Sequence, residues 1–292
     1  MTGMTLDVKI GEVGDKLAKL LEKGVSPWQK DWELKGGSLC RNAATGKPYH
    51  GQNTILLTIQ CFLSGYSTRL FVGFAQAQEI GLRMIKGSKS VPILYPKIVK
   101  KKDEETGEEQ RIVIGWNWAN VFNLDCFYDG SVKDAILDRF VNVDDQNSIS
   151  PPQFVQHLLD VHQPKVVFDD AHSPAYVPMN DTIFMPSIHC FKSPEAYAAT
   201  LIHELAHWSG HKDRMGRNLI GSKWSQEYAY EELVAEMTSA ILCAEAGIAY
   251  ALECHASYIA HWISLLQNDP AAFIKALKDA GKASYFLYPI VD

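Results

Sequence analysis

Hydrophobic positions along this chain fall largely at helical spacing, and the clearest case lies in its second half. Tyr197, Leu201, Leu205 and Trp208 form one apolar stripe, as expected of a helix with a single buried face. Ser193-Pro194 opens that helix: Ser is a good N-cap, and Pro at the first helical position loses no hydrogen bond. Glu195 suits the positive end of the helix, and Gly210 is a natural stop, so the pattern predicts a helix over 194–209. Just upstream, residues 181–186 read as a short strand ended by Pro186. A second long helix is expected from a Ser225 cap to about Ala246, before Gly247, and a last one from Asp269-Pro270 to a stop at Gly281. Nearer the start, residues 5–24 alternate as an amphipathic helix (Leu6, Ile10, Val13, Leu17, Leu20, Leu21). Helices are also expected over 53–63 and 75–81. Residues 91–99 and 111–124 alternate as strands, and the charged stretch 100–110 between them reads as a solvated hairpin tip. The fold class is therefore α+β.

Charge divides the chain. Residues 1–130 hold 17 Lys/Arg and 14 Asp/Glu, net +3, whereas residues 131–292 hold 11 and 20, net −9. Within the first half, residues 35–102 carry 11 basic side chains and one acid, Glu79. This asymmetry predicts two domains with different partners, 1–140 and 150–292, parted by the polar stretch 141–152. No apolar run reaches membrane-spanning length, and Asp7, Glu12, Asp15 and Glu22 interrupt any secretory leader. The six Cys show no C-x-x-C spacing and read as reduced thiols of a cytoplasmic protein.

The 194–209 helix contains H-E-x-x-H as His203, Glu204 and His207. Shuffling a chain with this His and Glu content would give about 0.02 such matches. On a helix the two imidazoles lie one turn apart on one face, where they can hold Zn²⁺ or another divalent ion. Glu204 then stands beside them as general base toward an attacking water. A catalytic site of this type needs a third protein ligand. His211 is a weak candidate, because Gly210 intervenes. Glu232 and Glu236 share one face of the following helix among apolar neighbours. Glu232 is favoured as ligand and Glu236 as the carboxylate that orients a histidine, with the reverse assignment open. Glu231 reads as exposed. A strand followed by an H-E-x-x-H helix, with a glutamate ligand on the next helix, is the plan of a zincin-like, gluzincin-type metallopeptidase domain. The strand at 181–186 would then be the edge that pairs with extended substrate.

The basic half interleaves cations with aromatic residues: Trp28, Lys47, Tyr49, Lys86, Lys89, Trp116 and Trp118. Such a surface suits single-stranded nucleic acid, with cations along phosphates and rings under bases. Asn53 at a helix start after a Gly-rich loop adds a polar contact, and His50 is a lesser candidate for phosphate.

With both halves read, the chain resembles the ArdC antirestriction family, whose members are encoded on conjugative plasmids and whose relatives open some plasmid primases. In the first half the resemblance rests on Ser26-Pro27-Trp28, on Asn42 to Asn53 with Gly46, Lys47, Tyr49 and Gly51, on Lys86-Gly87-Ser88-Lys89, and on Val121-Phe122-Asn123. In the second half it rests on the His203 to His211 motif, on Tyr228 to Glu236, and on Tyr258 to Trp262. It implies a single-stranded-DNA-binding domain joined to a zincin-like domain, acting to protect incoming plasmid DNA from host restriction. A DNA-associated protease that cleaves DNA-bound or host proteins would share every one of these residues. A purely structural metal is disfavoured, because Glu204 has no use at a closed site.

Overall fold

The structure is a computed structural model. It describes residues 39–102, 109–140, 149–219, 225–248 and 256–289, with Gly221 and parts of a helix between Gly14 and Glu22. The side chains of 96–102, 109–116, 256–261 and Pro270 lie outside that description. So do Trp28 and most of the amphipathic segment 5–24.

The first half is built on a four-stranded sheet of order β1-β2-β4-β3. Its strands are β1 (Arg41–Asn42), β2 (Leu70–Gly73), β3 (Val91–Lys102) and β4 (Glu109–Asn123). β1 and β2 run parallel, and the other pairs are antiparallel. The β3–β4 pairing continues to Lys102 opposite Glu109, so the hairpin extends into the charged segment that the sequence suggested was solvated. Ladder hydrogen bonds come from the backbone and do not require an apolar sequence. Helices α1 (Gln52–Ser64), α2 (Phe74–Glu79) and α3 (Ser131–Phe140) flank the sheet in sequence. Gly65 ends α1 in the left-handed conformation with φ 63°, where a side chain would be strained.

The second half opens with α4 (Pro151–His162), then a three-stranded sheet of order β5-β7-β6. Its strands are β5 (Lys165–Phe168), β6 (Ala175–Val177) and β7 (Thr182–Met185). The strand expected at 181–186 is β7, but it is central, paired with β5 on one side and β6 on the other. The edge strand with antiparallel pairing is β6. At three residues it leaves almost no period-2 signal in the sequence.

Four helices follow: α5 (Pro194–Ser209), α6 (Gln226–Glu245), α7 (Ala256–Asn268) and α8 (Pro270–Leu287). α5 and α6 start as the caps predict. Ser193 accepts a hydrogen bond from the Ala196 amide, and Ser225 accepts one from the Tyr228 amide. α8 does not stop at Gly281. A Cβ built there would stand 2.1 Å from Oε1 of Gln52, so this glycine makes room where α1 crosses α8.

One apolar core runs through both halves. Ile55 and Leu56 of α1 and Phe71 of β2 pack with Leu233 and Met237 of α6, Trp262 of α7, and Phe273 and Leu277 of α8. Leu17 and Leu21 from the N-terminal helix join the same cluster. A second core, with Phe154, Ile183, Leu201, Leu205 and Leu242, supports α5 from beneath. α6 contributes to both and is buried along most of its length. His50 also reaches α6: its Nδ1 lies 2.7 Å from Glu245, which accepts the Gly51 amide at 3.1 Å. The sequence offered His50 to phosphate, but here it joins the basic half to α6.

Candidate metal centre and nucleic-acid surface

Regular helical geometry places His203 and His207 on the same face of α5. Their Nε2 atoms approach to 3.1 Å. Glu232 of α6 faces both, with carboxylate oxygens 3.5 Å from His203 Nε2 and 3.6 Å from His207 Nε2. Donors arranged tetrahedrally about an ion at about 2.0–2.1 Å stand about 3.3–3.4 Å from one another. The observed separations bracket that value, and the donor set of two imidazoles and one carboxylate suits a divalent ion. His203, His207 and Glu232 are the group among the described residues whose ligand atoms converge in this way.

The outer side of each ring also faces a carboxylate. His207 Nδ1 lies 3.2 Å from Glu231, and His203 Nδ1 lies 3.9 Å from Glu236. Glu231, which the sequence suggested was exposed, is buried. A helix-face argument treats it as the neighbour of Glu232 pointing elsewhere; in fact Arg217 meets it there with hydrogen bonds of 3.0 and 2.8 Å. His211 takes no part in the cluster, and its Nδ1 accepts the Asp213 amide at 3.3 Å.

Electrostatics follow from this crowding. Burial alone would lower the His203 pKa, but Glu232, Glu204 and Glu236 outweigh it and push the value up to about 9. Burial would raise Glu232, yet His207 and His203 hold it down at about 2. Burial likewise works against the Glu231 carboxylate, and hydrogen bonds from His207 and Arg217 keep its pKa below the ordinary value.

Glu204 is buried on the side toward β6, and the Tyr176 amide donates to its Oε2 at 2.7 Å. The phenol of Tyr176 donates to Asp181 at 2.8 Å. Arg214 holds Asp181 at 3.0 Å, donates to the Trp208 carbonyl at 2.6 Å and lies 3.8 Å over the Trp208 ring. The edge strand is thus braced against the end of α5. Beside it opens a cavity of about 930 Å³, lined by Ala175 and Tyr176 of β6, by Phe191 and Lys192, by His203, Glu204 and His207, and by Tyr228 and Glu232 of α6. Tyr176, Arg214 and Arg217 were not singled out in the sequence, because each acts through a partner distant along the chain.

In the basic half, Lys47, Lys86 and Lys89 are exposed. Lys86 and Lys89 lie on a turn fixed along residues 126–128: the Ile85 amide donates to Cys126 O at 2.9 Å, the Tyr128 amide to Arg83 O at 2.9 Å, and Ser88 Oγ to Cys126 O at 3.2 Å. Tyr128 is 53% exposed and lies under the Arg83 guanidinium. Trp118 and Tyr95 are also exposed, whereas Tyr49 is half-buried against the core. Asn53 is not available to a ligand. It is buried, its amide donates to Leu94 O at 2.6 Å, and its carbonyl accepts the Leu94 amide at 2.9 Å. Both groups serve to fasten α1 to β3.

An H-E-x-x-H helix beside an edge strand, with a glutamate from the next helix, defines a zincin-like domain, and residues 155–279 match the zincin-like metallopeptidase family. Residues 10–122 match the N-terminal domain of anti-restriction factor ArdC. With both domains present in this order, the chain belongs to the ArdC antirestriction family. It is similar to the antirestriction protein ArdC from plasmid R388 in two crystal structures. The metal-free one gives a TM-score of 0.68 at 28% identity, covering 95% of this chain and 96% of that one. The Mn(II)-bound one gives 0.69 at 27%, covering 97% of each. A DNA primase TraC from Escherichia coli is 32% identical over 290 residues, which is 94% of this chain and 26% of the primase. The chain thus spans about a quarter of that relative's length. Among the described residues no helix is long and apolar enough to cross a membrane.

Proposed function

We propose that this protein binds single-stranded DNA through its basic half, holds a divalent ion on His203, His207 and Glu232, and protects incoming plasmid DNA from restriction in the recipient cytoplasm. The observation that carries the DNA reading is the fixed turn that presents Arg83, Lys86 and Lys89 beside the exposed ring of Tyr128. Cations at fixed spacing track phosphates, and an adjacent ring stacks a base without demanding a sequence. Lys47 adds an exposed cation from the loop after β1, and Trp28 is proposed as a further stacking residue. Coating a strand hides it until its complement is made. The similarity to ArdC of R388 supports this role.

The metal half can do more than bind. A divalent ion there, zinc or another, supplies a Lewis acid and makes nearby water more acidic. Glu204 accepts the proton of the attacking water and hands it on to the leaving amine. The Tyr176 amide holds the Glu204 carboxylate in place for that transfer. The open cavity along β6 favours a second reading, in which an extended segment of a host or DNA-bound protein is cleaved.

A conjugation assay into restricting and non-restricting recipients separates the two. Shielding predicts that Glu204→Gln keeps protection while Lys86→Glu/Lys89→Glu loses it. Proteolysis predicts that Glu204→Gln loses it. Equal transfer into both recipients, with and without the protein, overturns the antirestriction role.

A further inference from the structure

We propose that Arg217 is a positioning residue for the metal-binding histidines, seated in a socket that Ser209 and Gly210 form at the end of α5. The inference rests on the reading of His203, His207 and Glu232 as ligands. After α5 the chain turns back on itself. The Met215 amide donates to Ser209 O at 3.1 Å, and the Gly216 amide to His211 O at 3.0 Å. The Arg217 amide then donates to Gly210 O at 2.9 Å. Gly216 adopts φ +63°, in the left-handed region where glycine is favoured. This return lays the Arg217 side chain across the last turn of α5.

There the guanidinium bridges two sets of partners. On the α5 side it donates to Ala206 O at 2.6 Å and to Ser209 Oγ at 3.0 Å. The Ala206 carbonyl also accepts the Ser209 hydroxyl at 2.6 Å. On the α6 side it holds both oxygens of Glu231 in a two-pronged pair, at 3.0 and 2.8 Å. A two-pronged pair fixes the plane of a carboxylate as well as its place. The Glu231 oxygen that accepts the 2.8 Å bond also accepts a hydrogen bond from His207 Nδ1 at 3.2 Å. His207 is therefore held in the tautomer that turns a bare Nε2 toward His203 and Glu232. Arg217 and Glu231 are each only 7% exposed, so little water competes for these bonds.

The same arrangement accounts for Ser-Gly in the motif extension. Gly210 has φ −75° and ψ −10°, a conformation open to any residue, so the backbone does not require glycine. Space does. A Cβ at Gly210 would lie 2.8 Å from Arg217 Nη2, 3.0 Å from its Cζ and 2.9 Å from Leu219 Cδ2. The helix ends where the sequence predicts, but this glycine is there to admit a guanidinium.

The test uses the full chain with Arg217→Met and Glu231→Gln, singly and together. Affinity for Co(II) is read by competition with a chromophoric chelator, together with the visible spectrum of the Co(II)-loaded protein. Each single change is expected to weaken binding by about 10–100-fold, with altered Co(II) bands. The double variant should be no weaker than the worse single one, because both act through His207. Arg217→Lys, which keeps the charge without the fork, should recover part of the loss. Gly210→Ala should weaken binding in the same sense, and it carries the test with Glu231→Gln if Arg217→Met does not fold. Wild-type affinity and spectrum in folded Arg217→Met, with only a lower Tm, would reduce Arg217 to a brace and overturn the inference. So would a double loss equal to the product of the single losses. Failure of the wild-type chain to bind Co(II) would overturn the ligand reading itself, a distinct result.

Discussion

The Tyr176 amide donates to Glu204 Oε2 at 2.7 Å, which ties the edge of the second sheet to the H-E-x-x-H helix. An outward-facing strand donor is a point where extended substrate would pair, and here it serves the residue assigned as base. Glu204 is thus oriented before any substrate arrives. Glutamine can accept the same bond but cannot take a proton. Glu204→Gln should therefore keep fold and metal content while lowering any peptide hydrolysis by at least about 100-fold. Metal analysis and a peptide-cleavage assay on the same preparation check this. Undiminished cleavage would remove Glu204 from the mechanism.

Glu232 and Glu236 share a face of α6, yet they meet His203 on opposite sides of its ring. Glu232 lies 3.5 Å from Nε2 and Glu236 3.9 Å from Nδ1. Loss of a ligand should cost more metal than loss of an orienting carboxylate. In a chelator titration Glu232→Ala is expected to bind more weakly than Glu236→Ala. The opposite order would exchange their roles.

The His203 pKa of about 9 in the metal-free protein sets a pH dependence. It lies above the ordinary value, so this group's contribution to metal-free stability is full below about 6.5. That contribution is lost as pH rises through about 9. A bound ion requires the neutral ring, so metal affinity moves in the opposite sense and strengthens over the same window. Calorimetry of chelator-treated and metal-loaded protein between pH 6.5 and 9.5 should show the Tm gap widening. A gap that narrows as pH rises would contradict the assignment.

Asn53 clasps the Leu94 backbone through two bonds. Asn53→Ala strands a buried N–H and C=O, which should cost about 1–3 kcal/mol of stability. The folded fraction should bind DNA as wild type does. Denaturant unfolding and a binding titration check both halves of that statement. Weakened binding without lost stability would return Asn53 to the DNA surface.

The H-E-x-x-H helix was legible in the sequence because its signals are local. Ser193-Pro194 starts it, the stripe from Tyr197 to Trp208 gives it a buried face, and His203, Glu204 and His207 need only a helical turn to meet. That Glu232 faces these two histidines was legible by spacing and apolar company. The features that escaped depend on partners far along the chain. Glu231 is defined by Arg217, Gly281 by Gln52, Asn53 by Leu94, and β6 by its pairing with β7. A local pattern cannot tell a glycine that ends a helix from one that admits a neighbour. Nor can it tell an acid on the solvent face from one buried against an arginine.

The most direct test of the account is the affinity of the full chain for a fluorescent single-stranded oligonucleotide, measured by anisotropy across a salt series. Wild type should bind with little sequence preference and weaken steeply with salt, because each phosphate contact releases counterions. Lys86→Glu/Lys89→Glu should bind more weakly, with a salt slope shallower by about 1–2, while keeping its metal content. Equal affinity and equal slope in the variant would contradict the claim that the turn beside Tyr128 is the DNA site.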